Sequence, residues 1–157
     1  MKIHFWSVGK THEPYVKQGV DVFTERVSRY YPVEWKSIPS PKNAAGLSAA
    51  SLKKAEAETV LQILDKKDTL VLLDEKGRQF SSEKLATTIQ QAANNSAKNL
   101  VFLIAGAFGA DDSLLKRADI TWSLSQLVFP HQLVRLILAE QVYRACTIIK
   151  NEKYHHS

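Results

Sequence analysis

The amino-acid sequence predicts an α/β fold, a mainly parallel sheet with helices on both of its faces. Strand-like and helix-like segments alternate along the chain, which implies right-handed crossovers between parallel strands. Two strand-like segments, 69–74 and 100–105, are continuous apolar runs, as in strands buried on both faces. With 157 residues we expect one domain, 1–157, and a ligand at the carboxyl ends of the strands.

The amino-terminal half contains two predicted strands, Lys2–Val8 and Val33–Ile38. Between them, apolar residues recur at intervals of three and four and so share one helix face: Val16, Val20, Phe23, Val27 and Tyr30. Pro32 is expected to end this helix. A loop over 40–47 and a helix from about Ser48 to Leu64 complete this half.

In the carboxyl-terminal half, strands and helices alternate again. We expect Gly77 to turn the chain after the strand at 69–74, and Ser81 to cap a helix that runs to about Asn94. The other predicted elements are strands over 100–105 and 120–124, a short helix capped by Asp111 that ends near Ala118, and an apolar helix that begins after Pro130.

The composition excludes several classes of protein. One cysteine, Cys146, allows no internal disulfide framework, and no spacing typical of a zinc site occurs. Charged side chains interrupt the longest apolar region, 133–149, which argues against a membrane span. The first residues lack the apolar run of a secretory signal, so we expect a cytoplasmic location. The net charge of +5 favours a polyanionic partner only weakly.

Three segments that follow predicted strands are expected to meet at one edge of the sheet: 73–77, 105–110 and 124–130. Gly106 and Gly109 allow a close approach of the backbone to a ligand, or else they only make a tight turn. Neither the dinucleotide fingerprint nor the phosphate loop occurs in the sequence. Such a pocket suits a cofactor held through an adenine ring and main-chain hydrogen bonds.

Two basic side chains open the last helix, His131 and Arg135. Arg135 falls within an apolar arc, so its guanidinium must find a carboxylate, a phosphate or backbone carbonyls. Arg135 is therefore either a structural contact or a residue that faces substrate oxygens, and His131 is either a helix cap or a functional group. Glu140 and Arg144, four positions apart, are expected to pair on the exposed face.

The same helix is apolar beyond what one sheet face can cover, so we expect it to pack against another subunit. The additional apolar residues are Leu133, Leu136, Ile137, Tyr143 and Ile148. The tail Tyr154-His155-His156 lies beyond the helix. Its histidines are either exposed to solvent or supply an acid, a base or a hydrogen-bond donor.

The run Leu-Ser-Gln-Leu-Val-Phe-Pro-His-Gln-Leu-Val-Arg (124–135), with Ala-Glu-Gln-Val-Tyr-Arg-Ala (139–145) and the terminal Tyr-His, resembles the RlmH (YbeA-type) family. Its members are SPOUT-class methyltransferases of large-subunit rRNA, and the resemblance covers the whole chain. It implies a C-terminal trefoil knot and a homodimer. It also implies methyl transfer from S-adenosyl-L-methionine to N3 of a pseudouridine in helix 69 of 23S rRNA, on the assembled 70S ribosome.

The resemblance also assigns site residues, with no metal among them. It places the cofactor against Leu73, Gly106, Leu124, Ser125, Gln126, Leu127, Val128 and Phe129. It places His131, Arg135, Tyr154 and His155 at the substrate side. In this interpretation Arg135 from the partner subunit stabilises the negative charge that develops as N3 loses its proton, and His155 accepts that proton.

Two positions depart from the family pattern. Ala105 stands where the family often has glycine, so only Gly106 is carried over. His156 stands where the tail usually has arginine, and histidine is only partly charged at neutral pH. These departures leave open a non-catalytic, ribosome-associated RNA-binding factor that retains the fold. A SPOUT enzyme acting on tRNA is a further alternative, although it would more often carry an added RNA-binding domain.

Overall fold

A computed structural model describes residues 1–156 and confirms the predicted α/β class. The strands are β1 (Lys2–Val8), β2 (Val33–Ile38), β3 (Thr69–Gln79), β4 (Asn99–Ile104) and β5 (Ile120–Ser123). The helices are α1 (Pro14–Ser28), α2 (Ala49–Ile63), α3 (Ser82–Asn94), α4 (Asp112–Arg117) and α5 (His131–Ile149), with a 3-10 turn over Ala44–Gly46. Each predicted strand and helix is therefore present, with ends that shift by a few residues.

The five strands form one sheet in the order β2-β1-β4-β3-β5, and every neighbouring pair is parallel. The carboxyl ends of all strands therefore lie at one edge of the sheet, where the intervening segments turn back towards the helices. The central strands β4 and β3 are buried on both faces, as their continuous apolar sequences predict.

Helices cover both faces of the sheet. Helices α1, α3 and α5 pack on one face, over a core that includes Phe5, Phe102 and Leu138. Helices α2 and α4 pack on the other, over a core that includes Leu72 and Leu103. Within residues 1–156, no helix combines the length and the apolar character needed to cross a membrane.

The predicted helix starts are confirmed by their capping contacts. Ser81 Oγ accepts a hydrogen bond from the backbone N–H of Lys84, and Asp111 Oδ2 accepts one from Ser113. Such caps satisfy N–H groups that the first turn of a helix leaves unpaired. Helix α5 begins directly after Pro130, whose ring fixes a φ angle suited to that place.

The expectation that Gly77 turns the chain is wrong. Strand β3 continues through Gly77 to Gln79 and pairs with β5 across a register shift between Leu73 and Arg78. A Cβ atom at Gly77 would lie 2.6 Å from the backbone nitrogen of Trp122, so the glycine permits a close approach of two strands. A bulged strand explains both the glycine and the loop-like composition here.

Contacts within the same chain cover most of the additional apolar residues of α5, so these residues do not by themselves require a second subunit, and the homodimer stays a prediction. Leu136 packs against Gly19 of α1, and the ring of Tyr143 lies 6.0 Å from that of Phe23. Ile148 also packs against the core of the same chain. Leu133 and Ile137 remain half-buried. Helices α1 and α3, which flank α5, provide the cover that a sheet face alone would not.

Candidate functional site

An open cavity of about 980 Å³ lies at the carboxyl edge of the sheet. Three segments line it, namely 73–77 of β3, 104–110 after β4 and 122–129 after β5, together with His131 and Val134 of α5. The three segments predicted to meet therefore do meet. The first of them, however, is an extension of strand β3 rather than a loop.

The segment after β4 turns sharply at two glycines. Gly109 has a φ angle of +86°, which favours glycine, and its N–H donates to the Gly106 carbonyl at 3.0 Å. A methyl group at Gly106 would lie 2.9 Å from the carboxyl carbon of Glu56 and would overlap its oxygens. Gly106 is thus required by a carboxyl group packed behind the cavity wall, which goes beyond the tight turn considered from the sequence.

Glu56 is 6% exposed on α2, and burial raises the pKa of its carboxyl group. Reasoning from the sequence missed this residue, because it lies on the helix face that also carries Ala57 and Val60. A charged residue among buried apolar neighbours is the signal that could have found it.

The segment after β5 is ordered by serine side chains. Ser123 Oγ donates to the carbonyl of Ser125, and Ser125 Oγ accepts from the N–H of Leu127, each at 3.0 Å. The side chains of Leu127 and Val128 remain 72% and 86% exposed. All six residues of the predicted cofactor run, 124–129, line the cavity together with Leu73 and Gly106.

His131 is the first residue of α5, directly after the N-cap residue Pro130, and its ring contacts Ala105 and Arg135. One ring nitrogen, Nε2, lies 2.8 Å from the carbonyl oxygen of Ala105, and Nδ1 lies 3.2 Å from Nη2 of Arg135. A carbonyl only accepts and a guanidinium only donates, so His131 is neutral, with its proton on Nε2. Burial and the charge of Arg135 hold the pKa of His131 below its usual value.

Arg135 is the largest side chain that is almost fully buried, at 1% exposure. Its Nη2 donates to the carbonyl of Lys10 at 2.8 Å, and its Nη1 lies 3.3 Å from Nδ1 of His12. Among residues 1–156 its Nε has no hydrogen-bond partner. The guanidinium thus finds one of the groups foreseen, a backbone carbonyl, and two imidazoles that the sequence did not predict as its partners, those of His12 and His131. Burial lowers the pKa of Arg135.

The tail is not simply exposed to solvent, although His156 is. Tyr154 donates to the carboxylate of Glu140 at 3.1 Å, and its ring packs 4.7 Å from that of Tyr143. His155 Nε2 lies 2.8 Å from Glu83. Within this chain, neither Tyr154 nor His155 lines the cavity that contains His131.

Glu140 and Arg144 do pair, with Arg144 Nη2 2.6 Å from the Glu140 carboxylate. The expectation that they pair on the exposed face is wrong, because their side chains are only 20% and 25% exposed. The guanidinium of Arg144 also lies 4.7 Å from the centre of the Tyr154 ring. The pair therefore anchors the tail to α5.

Comparison with known proteins places the chain in a known class of enzyme. A family model described as "Predicted SPOUT methyltransferase" matches residues 1–155, so the chain belongs to this family. This confirms the resemblance found in the sequence.

The relatives that the chain matches are more specific in name. It is 47% identical over 156 residues to "Ribosomal RNA large subunit methyltransferase H" of Cytophaga hutchinsonii, covering 99% of this chain and 100% of the relative. Proteins of the same name from Parabacteroides distasonis and Geobacter metallireducens are each 41% identical. The match to the Parabacteroides protein covers 99% of each chain, and the match to the Geobacter protein covers 100% of each.

Proposed function

We propose that this chain is a methyltransferase that uses S-adenosyl-L-methionine to methylate rRNA of the large ribosomal subunit. The observation that carries the proposal is the cavity bounded by Gly106 and the run 124–129, in a chain of the SPOUT methyltransferase family. The names of the relatives support rRNA as the substrate. S-adenosyl-L-methionine supplies an electrophilic methyl group on a sulfonium centre.

The residues present fit such a donor. The cavity volume of about 980 Å³ is at the upper end of ligand pockets, and Gly106 brings backbone close to its interior without a side chain. Leu73, Leu124, Leu127, Val128 and Phe129 supply apolar surface for an adenine ring. Ser125 and Gln126, with the backbone groups around Gly106, supply polar contacts. Among residues 1–156, the lysines that line the cavity are Lys53 and Lys76, and the sequence has no phosphate loop that would grip a pyrophosphate.

For the finer substrate we propose N3 of a pseudouridine in helix 69 of 23S rRNA, on the assembled 70S ribosome. The family resemblance supports this target. Charge supports the assembled substrate, since 21 basic residues against 16 acidic ones leave only +5 to hold RNA. A preassembled ribosomal surface would provide the affinity that this small excess does not.

His131 and Arg135 are proposed to order the site. His131 has both ring nitrogens engaged, one donating to Ala105 and one accepting from Arg135, so neither is free to take a proton from substrate. Arg135 is buried behind His131 and contributes its positive charge through that ring. Following the family resemblance, we assign proton acceptance to His155, with Tyr154 beside it. The ring nitrogens of His155 lie 2.8 Å from Glu83 and 3.4 Å from Arg144, so this role requires one of these contacts to open when substrate binds.

This assignment requires two subunits. Tyr154 and His155 contact Glu140, Arg144 and Glu83, and Arg144 lies nine positions, or about 13 Å along the helix, beyond Arg135. We propose a homodimer in which the tail of one subunit approaches the cavity of the other. Three exposed apolar side chains at the cavity support a second copy there, Phe108, Leu127 and Val128, which are 59%, 72% and 86% exposed.

The test is methylation of ribosomes from a strain that lacks the gene, with labelled S-adenosyl-L-methionine and mapping of the modified nucleotide. We expect label at one pseudouridine of helix 69, with 70S ribosomes as far better substrates than free large subunits or naked rRNA. Equal labelling of all three would contradict the requirement for an assembled ribosome. Label in tRNA, or binding of ribosomes without label, would contradict the activity itself.

A further inference from the structure

The segment that joins β1 to α1, residues 9–13, reaches the same edge of the sheet as the cavity but does not line it. It is bound to the first turn of α5 by hydrogen bonds that span more than a hundred residues of sequence. Gln132 accepts from the N–H of Glu13 at 3.0 Å and donates to the carbonyl of Thr11 at 3.3 Å. This segment therefore fixes the start of the helix on which His131 stands.

A second set of contacts runs through Arg135. Its Nη2 bonds both the carbonyl of Lys10 and Nδ1 of His131, at 2.8 and 3.2 Å, and its Nη1 reaches Nδ1 of His12 at 3.3 Å. Because a guanidinium has no acceptor, both imidazoles must present an unprotonated Nδ1 to it. His12 and His131 are thus held in the same neutral tautomer.

These hydrogen bonds continue from His12 through Arg135 and His131 to Ala105, which lines the cavity. The tautomer that accepts from Arg135 leaves the proton of His131 on Nε2, which donates to the carbonyl of Ala105, the residue before Gly106. We infer that His12 is a positioning residue for the donor cavity: it holds Arg135 so that His131 keeps the tautomer that fixes Ala105. The inference rests on the proposed function, because it takes this cavity to be the donor site.

His12 also has a packing role that must be separated from this one. Its ring stands edge-on to Trp35 at a centroid distance of 4.8 Å. A variant that only removed the ring would therefore change packing and hydrogen bonding together. The acceptor position has to be varied while a polar side chain of similar size remains.

Asparagine and glutamine make that separation. The Oδ1 of asparagine is as many bonds from Cα as Nδ1 of histidine, whereas Oε1 of glutamine is one bond further and corresponds to Nε2. His12→Asn keeps an acceptor for Arg135, and His12→Gln displaces it. His4→Gln is the matched control, because His4 is a half-buried, hydrogen-bonded histidine of β1 whose partners are Glu34 and Asn99.

Two readouts are needed on the full-length protein. Calorimetric titration with S-adenosyl-L-methionine should show a dissociation constant about tenfold higher for His12→Gln, near wild type for His12→Asn and unchanged for His4→Gln, as for loss of one hydrogen bond to a charged group. The ¹⁵N shifts of His131 should show a protonated Nε2 in wild type and His12→Asn. In His12→Gln they should show a mixture of tautomers.

The outcomes are decisive in both directions. If the two variants bind the donor as wild type does and leave the His131 shifts unchanged, the inference is wrong. Equal weakening by asparagine and glutamine would mean that the ring only packs against Trp35, and would overturn it too. Failure of wild type to bind the donor would contradict the proposed function instead, whereas the tautomer measurement would still report on His12.

Discussion

Arg135 and Arg144 stand on the same helix, nine positions apart, in opposite electrostatic surroundings. Arg144 is 25% exposed and pairs with the carboxylate of Glu140. Arg135 is 1% exposed, and within residues 1–156 it bonds only neutral groups: the carbonyl of Lys10 and the imidazoles of His12 and His131. The charge of Arg144 is neutralised by a carboxylate, whereas the charge of Arg135 is buried without one.

The difference shows that the helix and the residue type do not decide what an arginine does. A partly exposed pair such as Arg144–Glu140 contributes at most about 1 kcal/mol, and here it also fastens the tail. A buried charge without a counter-ion is costly unless neighbouring groups hold it. The segment after β1 supplies those groups to Arg135, and through His131 they connect to the wall of the cavity.

Removing Arg135 should have a much larger effect on stability and activity than removing Arg144. Arg135→Ala removes the donor of three acceptors, the carbonyl of exposed Lys10 and the Nδ1 atoms of the partly buried His12 and His131, and it empties a buried site. We expect the free energy of unfolding to fall by about 3 kcal/mol, against about 1 kcal/mol for Arg144→Ala. Methylation by Arg135→Ala should fall by about a hundredfold or more, because His131 and the cavity wall that it contacts would no longer be held in place.

The control for activity is Arg117→Ala. Arg117 also donates to backbone carbonyls, those of Asp65 and Asp68, but it lies at the opposite edge of the sheet. Denaturant unfolding and initial methylation rates measure both quantities. Wild-type turnover by Arg135→Ala would contradict the role assigned to this residue.

The next largest effect is expected at the far end of the Arg135 contacts, at Gly106. Gly106→Val should abolish binding of S-adenosyl-L-methionine, and Gly106→Ala should weaken it, because an added methyl group overlaps the carboxyl group of Glu56. Combining Gly106→Ala with Glu56→Ala should restore part of the affinity. Gly46→Ala, where a Cβ meets nothing within 4 Å, is the control. Unchanged calorimetric titration of Gly106→Val would rule out this wall of the cavity.

The two arginine clusters should respond to different ranges of pH. Burial, and then the charge of Arg135, lower the pKa values of His131 and His12 in the folded protein. Below the ordinary histidine pKa of about 6.5, these histidines therefore bind protons in the unfolded chain before they do so in the folded protein. The free energy of unfolding should fall as the pH drops below that value. His131→Asn should flatten this part of the profile.

In the Arg144 cluster, the hydrogen bond from His155 lowers the pKa of Glu83. Its contribution is present above the ordinary glutamate pKa of about 4.3 and is lost as pH falls below it. Denaturant unfolding between pH 8 and pH 3 separates the two ranges. A wild-type stability that stays constant from pH 7.5 to 5.5 would contradict the neutral imidazoles around Arg135.

The smallest effect is expected in the cluster around Arg144, at the hydroxyl group of Tyr154. Tyr154→Phe removes the hydroxyl group that donates to Glu140 and keeps the ring between Tyr143 and Arg144. Stability should fall by about 1 kcal/mol, the usual net contribution of one hydrogen bond. Thermal unfolding measures it, and a loss several times larger would mean that the hydroxyl group does more than fasten the tail.

Local patterns predicted the elements of the fold well, because each depends on neighbours in sequence. Apolar runs identified β3 and β4, and the caps at Ser81 and Asp111 lie where their side chains predict. The prediction of a turn at Gly77 was wrong. A glycine is compatible with either a turn or a strand, and here the pairing with β5, 45 positions later, decides for the strand. The residues next to Gly77 in sequence do not indicate that β5 will pack against it.

The candidate site was predicted in part for the same reason. The run 124–129 and Gly106 line one cavity, as expected of segments that follow parallel strands, and their role in cofactor binding stays a prediction. The burial of Arg135 followed from its position on the helix. A backbone carbonyl was foreseen as a partner of Arg135, but which carbonyl and the imidazole of His12 were not, because Lys10 and His12 lie 125 and 123 positions away. The segment after β1 could have been included, since it too follows a strand at the carboxyl edge.

The most direct test of the account is a crystal structure of the protein with S-adenosyl-L-methionine or its demethylated product bound. We predict the ligand in the cavity between Gly106 and the run 124–129, with His131 Nε2 still bonded to the carbonyl of Ala105 and Arg135 still buried. A ligand bound at any other place, or a His131 ring turned away from Ala105 in the complex, would contradict it.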